Sequence, residues 1–166
     1  LKYNENRYQT LFNSAPIGFV LEDEKGNILE MNETLCEELG YSKEELVGSS
    51  VLEKFVLPEY KRLAKSNIKK LIEGKDLEFD IKTPTKDGQM KHYHLKETNI
   101  TLPDGSKGII SMHLDITERK ELENSLREKN NLLNSVLESI QDGIRVLSPD
   151  LTVRYANSRI KKWYKQ

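Results

Sequence analysis

Three histidines and one cysteine are the side chains best suited to proton transfer, metal ligation or nucleophilic attack, and their positions narrow the chemistry. His92 and His94 flank Tyr93 in the run HYHLKE. Strand alternation sets Tyr93, Leu95 and Glu97 on one face of that run and His92, His94 and Lys96 on the other. A second alternating run, KGIISMHLD, opposes Ile109, Ser111 and His113 to Ile110, Met112 and Leu114. With the intervening LPDGS turn centred on Gly105, Glu97 falls opposite His113. A carboxyl beside an imidazole is a patch suited to anchoring a polar group or exchanging a proton. A satisfied or solvent-facing His–Glu pair without ligand is the alternative. Apolar content alone would turn Ile110, Met112 and Leu114 to the core instead, so alternation leaves the choice of face open.

Catalytic machinery is not found beside that patch. The 166 residues hold no glycine-rich phosphate loop, nucleophile elbow or metal-spaced set of His and Cys. They also hold no ATP-binding or phosphoacceptor segment, so the chain is expected not to be an enzyme. Cys36 has no second cysteine to pair with and lies in a polar helical stretch, which points to a small core or surface residue and to the cytoplasm. Lys and Arg number 26 against 27 Asp and Glu, for a net charge of -1. Without a basic block, nucleic acid is not an expected partner. No apolar run reaches the roughly 18 residues that would cross a membrane, and LKYNENRYQTLF lacks a signal-peptide core. A start at Leu1 suggests a piece of a longer protein.

The elements that must carry the patch follow from punctuation. NRYQTLFNSAP reads as a helix, with Tyr8, Leu11 and Phe12 on one face, ending at Pro16. GFVLED and GNILEMN read as strands around an EKGN turn. Asn32 caps ETLCEELG, Gly40 closes it, and Ser42 with Glu45 forms a capping box. PEYKRLAKSNIKKLIEG is a longer helix from Pro58 to Gly74. LEFDIKT, QMKHYHLKETNI and KGIISMHLDI are strands joined by TKDG and LPDGS hairpins. Two strands, several helices and three strands make an α+β fold with a five-stranded antiparallel sheet. From Thr117, a reasonable N-cap, the pattern turns helical. Leu122, Leu126, Lys129, Leu133, Val136 and Ile140 recur at spacings of four and three. That seam is narrow enough for a two-chain coiled coil, although a terminal helix packed on its own domain fits the same residues.

The chain also repeats itself. Residues 11–35, LFNSAPIGFVLEDEKGNILEMNETL, align without a gap on residues 136–160, VLESIQDGIRVLSPDLTVRYANSRI, at an offset of 125. Ser14 falls on Ser139, Gly18 on Gly143, Ile28 on Val153 and Asn32 on Asn157. The C-terminus thus reads as the truncated start of a second copy. Alone it is expected to be poorly settled beyond about Ile140, because its strands leave edges uncovered.

GFVLEDEKGNILEMNETLCEELGYSKEELVG followed by KDGQMKHYHLKETNITLPDGSKGIISMHLDITERKELE resembles a PAS domain with its C-terminal PAC half, over roughly residues 8–120. Residues 136–166 resemble the opening of another. The resemblance implies an N-terminal helix over 1–16, a PAS core over 17–116 with helices on one sheet face, a coiled-coil signalling helix over 117–140 and the truncated second domain over 141–166. It also implies a sensory or relay module of a multidomain signalling protein, most often a histidine kinase. Its expected partner is a second copy joined through the helices, with no membrane segment in this stretch. In this family the last strand feeds the helix through an Asp-Ile-Thr turn, here Asp115, Ile116 and Thr117. By position Asp115 can accept hydrogen bonds from nearby backbone amides or pair with Arg119, four residues on. Two alternatives are a ligand-free dimerisation spacer and the input domain of a diguanylate cyclase or transcription regulator.

The resemblance also bears on cofactors. The flavin-binding LOV branch needs a Gly-x-Asn-Cys where VGSSVLEKF has serines, and the haem-binding branch takes a histidine from the long helix, which has none. Both cofactors are therefore disfavoured and the ligand stays unknown. Alignment with LOV domains sets His113 at their flavin-facing glutamine and turns its face inward. A small-molecule ligand would lie against Val20, Met31, Leu35, Leu39, Val56, Tyr93 and Leu95, with Glu97, Ser111 and His113 as polar anchors. No metal is expected.

Overall fold

The computed structural model describes residues 2–163, in two compact units that divide between Glu118 and Arg119. In the first unit, helix α1 (Lys2–Ser14) stops short of Pro16, since the residue before proline is driven out of helical geometry. Strands β1 (Gly18–Asp23) and β2 (Ile28–Met31) turn back at Gly26, which takes φ 81. Helix α2 (Glu33–Leu39) starts on Asn32 and closes on Gly40, left-handed at φ 75. Helix α3 (Lys43–Leu46) carries the expected Ser42–Glu45 capping box. A single helical turn that the sequence pattern did not mark, α4 (Val51–Lys54), precedes a 3-10 turn at Pro58–Tyr60 and helix α5 (Lys61–Ile72). Strands β3 (Leu77–Pro84), β4 (Met90–Thr101) and β5 (Lys107–Asp115) complete one antiparallel sheet in the order β2-β1-β5-β4-β3.

That order buries one face. Val20, Ile28, Met31, Tyr93 and Leu95 from the strands meet Leu35, Leu39, Leu46 and Phe55 from the helical side in a single apolar core, with Cys36 at its margin. Ile109, Ser111 and His113 share this face, while Leu114 on the other is 49% exposed. The inward assignment of His113 therefore prevails over the count of apolar residues. Among the described side chains of α1 Phe12 alone is buried, between Tyr8 at 5.3 Å and Phe19 of β1 at 5.8 Å between ring centres. Leu11, expected on the same face, is 62% exposed.

The register differs from the expectation by one row. Glu97 pairs with Ser111, and His113 pairs with Leu95. The reason lies in the turn: Leu102 N–H donates to Ser106 O, Gly105 N–H donates back to Leu102 O, and Gly105 is left-handed at φ 85. Gly105 is thus the last residue of the three-residue loop Pro103-Asp104-Gly105, whose centre is Asp104.

In the second unit, helix α6 (Thr117–Ser139, shared at its first turn with the first unit) leads to strands β6 (Arg145–Leu147) and β7 (Val153–Ala156) and helix α7 (Ser158–Trp163). Residues 145–163 of this segment take up two strands and a helix, where the sequence reading expects a poorly settled tail beyond about Ile140. Its hairpin reproduces β1–β2 at the offset of 125: Val20↔Met31, Leu21↔Glu30 and Glu22↔Ile28 become Arg145↔Ala156, Val146↔Tyr155 and Leu147↔Val153, with the same bulge. One side chain organises each copy. Asn32 Oδ1 accepts from Phe19 N–H and Leu35 N–H while its Nδ2 donates to Phe12 O and Ile17 O. Asn157 does the same with Ile144, Ile160, Leu137 and Asp142. Backbone groups at a chain crossing must find partners, and one buried amide supplies four of them.

Candidate functional site

On the inner sheet face, alternation along β4 and β5 brings Glu97, Ser111 and His113 together. Ser111 is fully buried. Its Oγ donates to Glu97 Oε1 at 3.2 Å and lies 3.0 Å from His113 Nε2. A hydroxyl has one proton to give; with that proton on Glu97, the imidazole donates to the serine. Tyr93 packs edge-on against the His113 ring, 5.6 Å between centres. Val20, Met31, Leu35, Leu39, Tyr93 and Leu95 form one cluster above this polar floor. Val56 lies outside that cluster, half-buried, and its neighbour Phe55 takes the core position.

The sequence reading missed a fourth polar member. Glu22 on β1, two residues from Val20 and on the same side, is 5% exposed. Periodicity alone marks it, but a glutamate is expected to face water. Burial, with the like charges of Glu97 and Asp23, pushes its carboxyl up to about 8. Burial lifts Glu97 up to about 7 against the Ser111 hydrogen bond. Burial also drives His113 down to about 4, so the imidazole is neutral at neutral pH.

At the other end of the face, the Tyr93 hydroxyl and the Glu38 carboxyl are shielded from water and interact with each other. Burial and the Glu38 charge push the tyrosine well above its usual range. Beyond them lies the exit into α6. Lys91 Nζ donates to Asp115 Oδ2 at 2.8 Å, and Thr117 N–H donates to Asp115 Oδ1 at 2.8 Å. Burial opposes ionisation of Asp115, yet these two donors outweigh it and hold the carboxyl below its ordinary value. Ile116 N–H donates to His92 O, and His92 N–H donates to Thr117 Oγ1 at 2.9 Å.

Asp115 accepts from a nearby backbone amide, that of Thr117, as one of the two readings of its position has it; the Arg119 pairing and the capping role of Thr117 are corrected. Asp115 pairs with Lys91 across the β4–β5 ladder, while Arg119 points along its own helix to Glu123 at 3.4 Å. Thr117 is the first residue of α6, and its hydroxyl is turned to β4, so it joins helix to sheet; the amide at the helix start is satisfied by Asp115.

Ser49 and Ser50 precede α4 where a flavin thiol would be sought. Cys36 sits buried on α2, its thiol pushed up by burial. Among the described residues no group of three or more His, Cys, Asp or Glu could hold a metal, and no helix is long and apolar enough to cross a membrane.

Comparison with known proteins agrees with this geometry. Residues 6–116 match the family model described as the PAS fold. Over 139 residues the chain is 29% identical to the methyl sulfide methyltransferase-associated sensor of Methanosarcina acetivorans, covering 82% of this chain and 14% of that protein. The chain therefore spans a small part of that relative. Among solved structures, the PAS domain of an HTR-like protein from Haloarcula marismortui superposes with a TM-score of 0.63 at 22% identity, over 70% of this chain and 100% of that one. A domain of a sensory box sensor histidine kinase/response regulator from Geobacter sulfurreducens does so with 0.59 at 23%, over 69% and 96%.

Proposed function

Because this chain belongs to the PAS family, whose domains are sensory rather than catalytic, we propose that it is the sensory and relay module of a multidomain signalling protein of the histidine-kinase class. It passes a ligand-dependent or conformational signal through Asp115, Ile116 and Thr117 into α6. The observation that carries this reading is the pair of hydrogen bonds between His92 and the exit: His92 O accepts from Ile116 N–H, and His92 N–H donates to Thr117 Oγ1. His92 stands on β4 next to Tyr93, so the strand that floors the site also holds the first turn of the helix.

Helix α6 would then work as half of a dimeric coiled coil. Leu122, Leu126, Leu133 and Val136 are each about half exposed or more along its seam, and apolar residues at three- and four-residue spacing are buried when two such helices associate. We place neither flavin nor haem in the core, for want of the thiol and the helix histidine. Residues 136–163 we take as the opening of a second PAS domain, on the strength of the shared asparagine bonding and the shared bulge.

The test is made in the full-length protein with Asp115→Ala and Thr117→Ala. Losing one partly buried acceptor costs about 1–3 kcal/mol, which a domain of roughly 5–15 kcal/mol survives. Folding should persist while output activity, or its response to signal, changes. Unchanged output and response in both variants would leave α6 a mere spacer.

A further inference from the structure

Folding alone gives no account of the Glu22 carboxyl on the inner face. It is 5% exposed, and among the described residues no hydrogen-bond donor reaches it. Its Oε2 lies under the helical cover: a Cβ built on Gly26 would stand 3.7 Å from it, 2.8 Å from Ile68 of α5 and 3.4 Å from Val51 of α4. The charges that act on it most are Glu97 and Asp23, both acidic, with no Lys or Arg among them. One oxygen of Glu97 accepts a hydrogen bond from the Ser111 hydroxyl, and burial keeps His113 neutral. An inward carboxyl with neither donor nor counter-charge costs several kcal/mol of desolvation, and such groups collect where a site needs them.

From the unpartnered Glu22, set beside the Glu97–Ser111–His113 floor, we infer that the inner face binds a small organic cation: a primary ammonium or guanidinium group on a short apolar stem. The cationic head supplies the N–H donors and positive charge that Glu22 and Glu97 lack, and the stem lies among Val20, Ile109, Val51 and Ile68. A metal ion is the poorer match, since no three-ligand group is present among the described residues. Entry is under α5, which contributes a single buried residue, Leu71, and leaves Leu63 57% exposed. When the cation is absent, protons on the two carboxyls take its place. This rests on the sensory reading of the domain but concerns only what the domain binds.

Calorimetry and NMR titration of the whole chain at pH 8, with n-butylammonium, n-butylguanidinium and neutral n-butanol as probes, decide it. At least one cation should bind saturably and 10-fold or more tighter than butanol, shifting amides of β1 and β5. Glu22→Gln should lose that preference while keeping the dispersed spectrum of a folded domain, and Glu97→Gln should weaken it. Absence of saturable binding by both cations, equal binding of butanol, or undiminished cation binding by Glu22→Gln overturns the inference. Cation binding lost in Glu22→Gln, with output untouched by Asp115→Ala and Thr117→Ala, leaves the site standing and removes the relay. Altered output in those variants with no cation binding does the reverse.

Discussion

Asn157 makes the same four backbone hydrogen bonds, at the same relative positions, as Asn32. Each asparagine ties a preceding helix, a glycine loop, a strand start and a following helix to one side chain. The glycines are bound by the same packing: a Cβ on Gly18 would stand 2.7 Å from Leu35, and one on Gly143 would stand 2.5 Å from Ile160. Asn32→Ala should therefore cost about 3 kcal/mol or more in urea denaturation of the first unit, at about 1 kcal/mol per bond plus the buried groups left open. Asn157→Ala should release amide protection in β6 and β7 only. Equal protection of that hairpin in the variant would show that its order comes from elsewhere.

The two copies differ at one strained position. Leu151 takes φ 64, the left-handed conformation that Gly26 occupies at φ 81 in the first copy. A side chain there costs roughly 1–2 kcal/mol. Leu151→Gly should slow hydrogen exchange of the Val146 and Tyr155 amides several-fold, while Gly26→Ala should destabilise the first unit, because its Cβ would also press on Ile68.

Stability should fall as pH rises from 6.5 to 8.5. Folded Glu22 and Glu97 hold protons up to about 8 and about 7, above the ordinary 4.5, so their contribution is full below 4.5 and is lost as pH climbs through those values. His113, held down to about 4 from 6.5, acts oppositely: its contribution is full above 6.5 and is lost toward 4. His94, raised above its ordinary value by its hydrogen bonds to Asp80 and Glu78, loses its contribution in the same direction as the carboxyls, so the carboxyl share is read from the Glu22→Gln comparison. Thermal denaturation of Glu22→Gln should show a flatter profile and a higher Tm than the parent at pH 8.5. A parallel decline in both would assign the pH dependence to other groups.

Ser111→Ala should cost about 1–3 kcal/mol, since it leaves a carboxyl oxygen and an imidazole nitrogen without the hydroxyl that joins them. Ser111→Thr, which keeps the hydroxyl, should recover part of the loss in the same denaturation assay. His113→Phe should change the affinity of any ligand held on this face.

Much of this arrangement is readable along the chain, for stated reasons. Alternation places Tyr93, Leu95 and Glu97 together because a strand has no other way to orient neighbours, and Asn32 and Gly40 mark α2 because few residues serve those caps. The one-row error in pairing Glu97 arose because a three-residue loop and a symmetric turn about Gly105 share the same letters and differ only in backbone angles. Lys91 as the partner of Asp115 was invisible for a different reason: it approaches across a ladder, while Arg119 is merely near in sequence. Glu22 was passed over because charge outweighed periodicity. That preference describes average surfaces and fails where a buried polar group is itself the feature to be found.

The bonds from His92 to Ile116 and Thr117 make the first turn of α6 an extension of the sheet. A helix of 23 residues is about 34 Å long. If its base is clamped to β4, a tilt of about 5° there carries the far end through about 3 Å, over half the pitch of a helical turn. The sheet need shift only by tenths of an ångström at the clamp. Under the relay proposed above, the junction would be the fulcrum of a lever, with displacement gained in proportion to length.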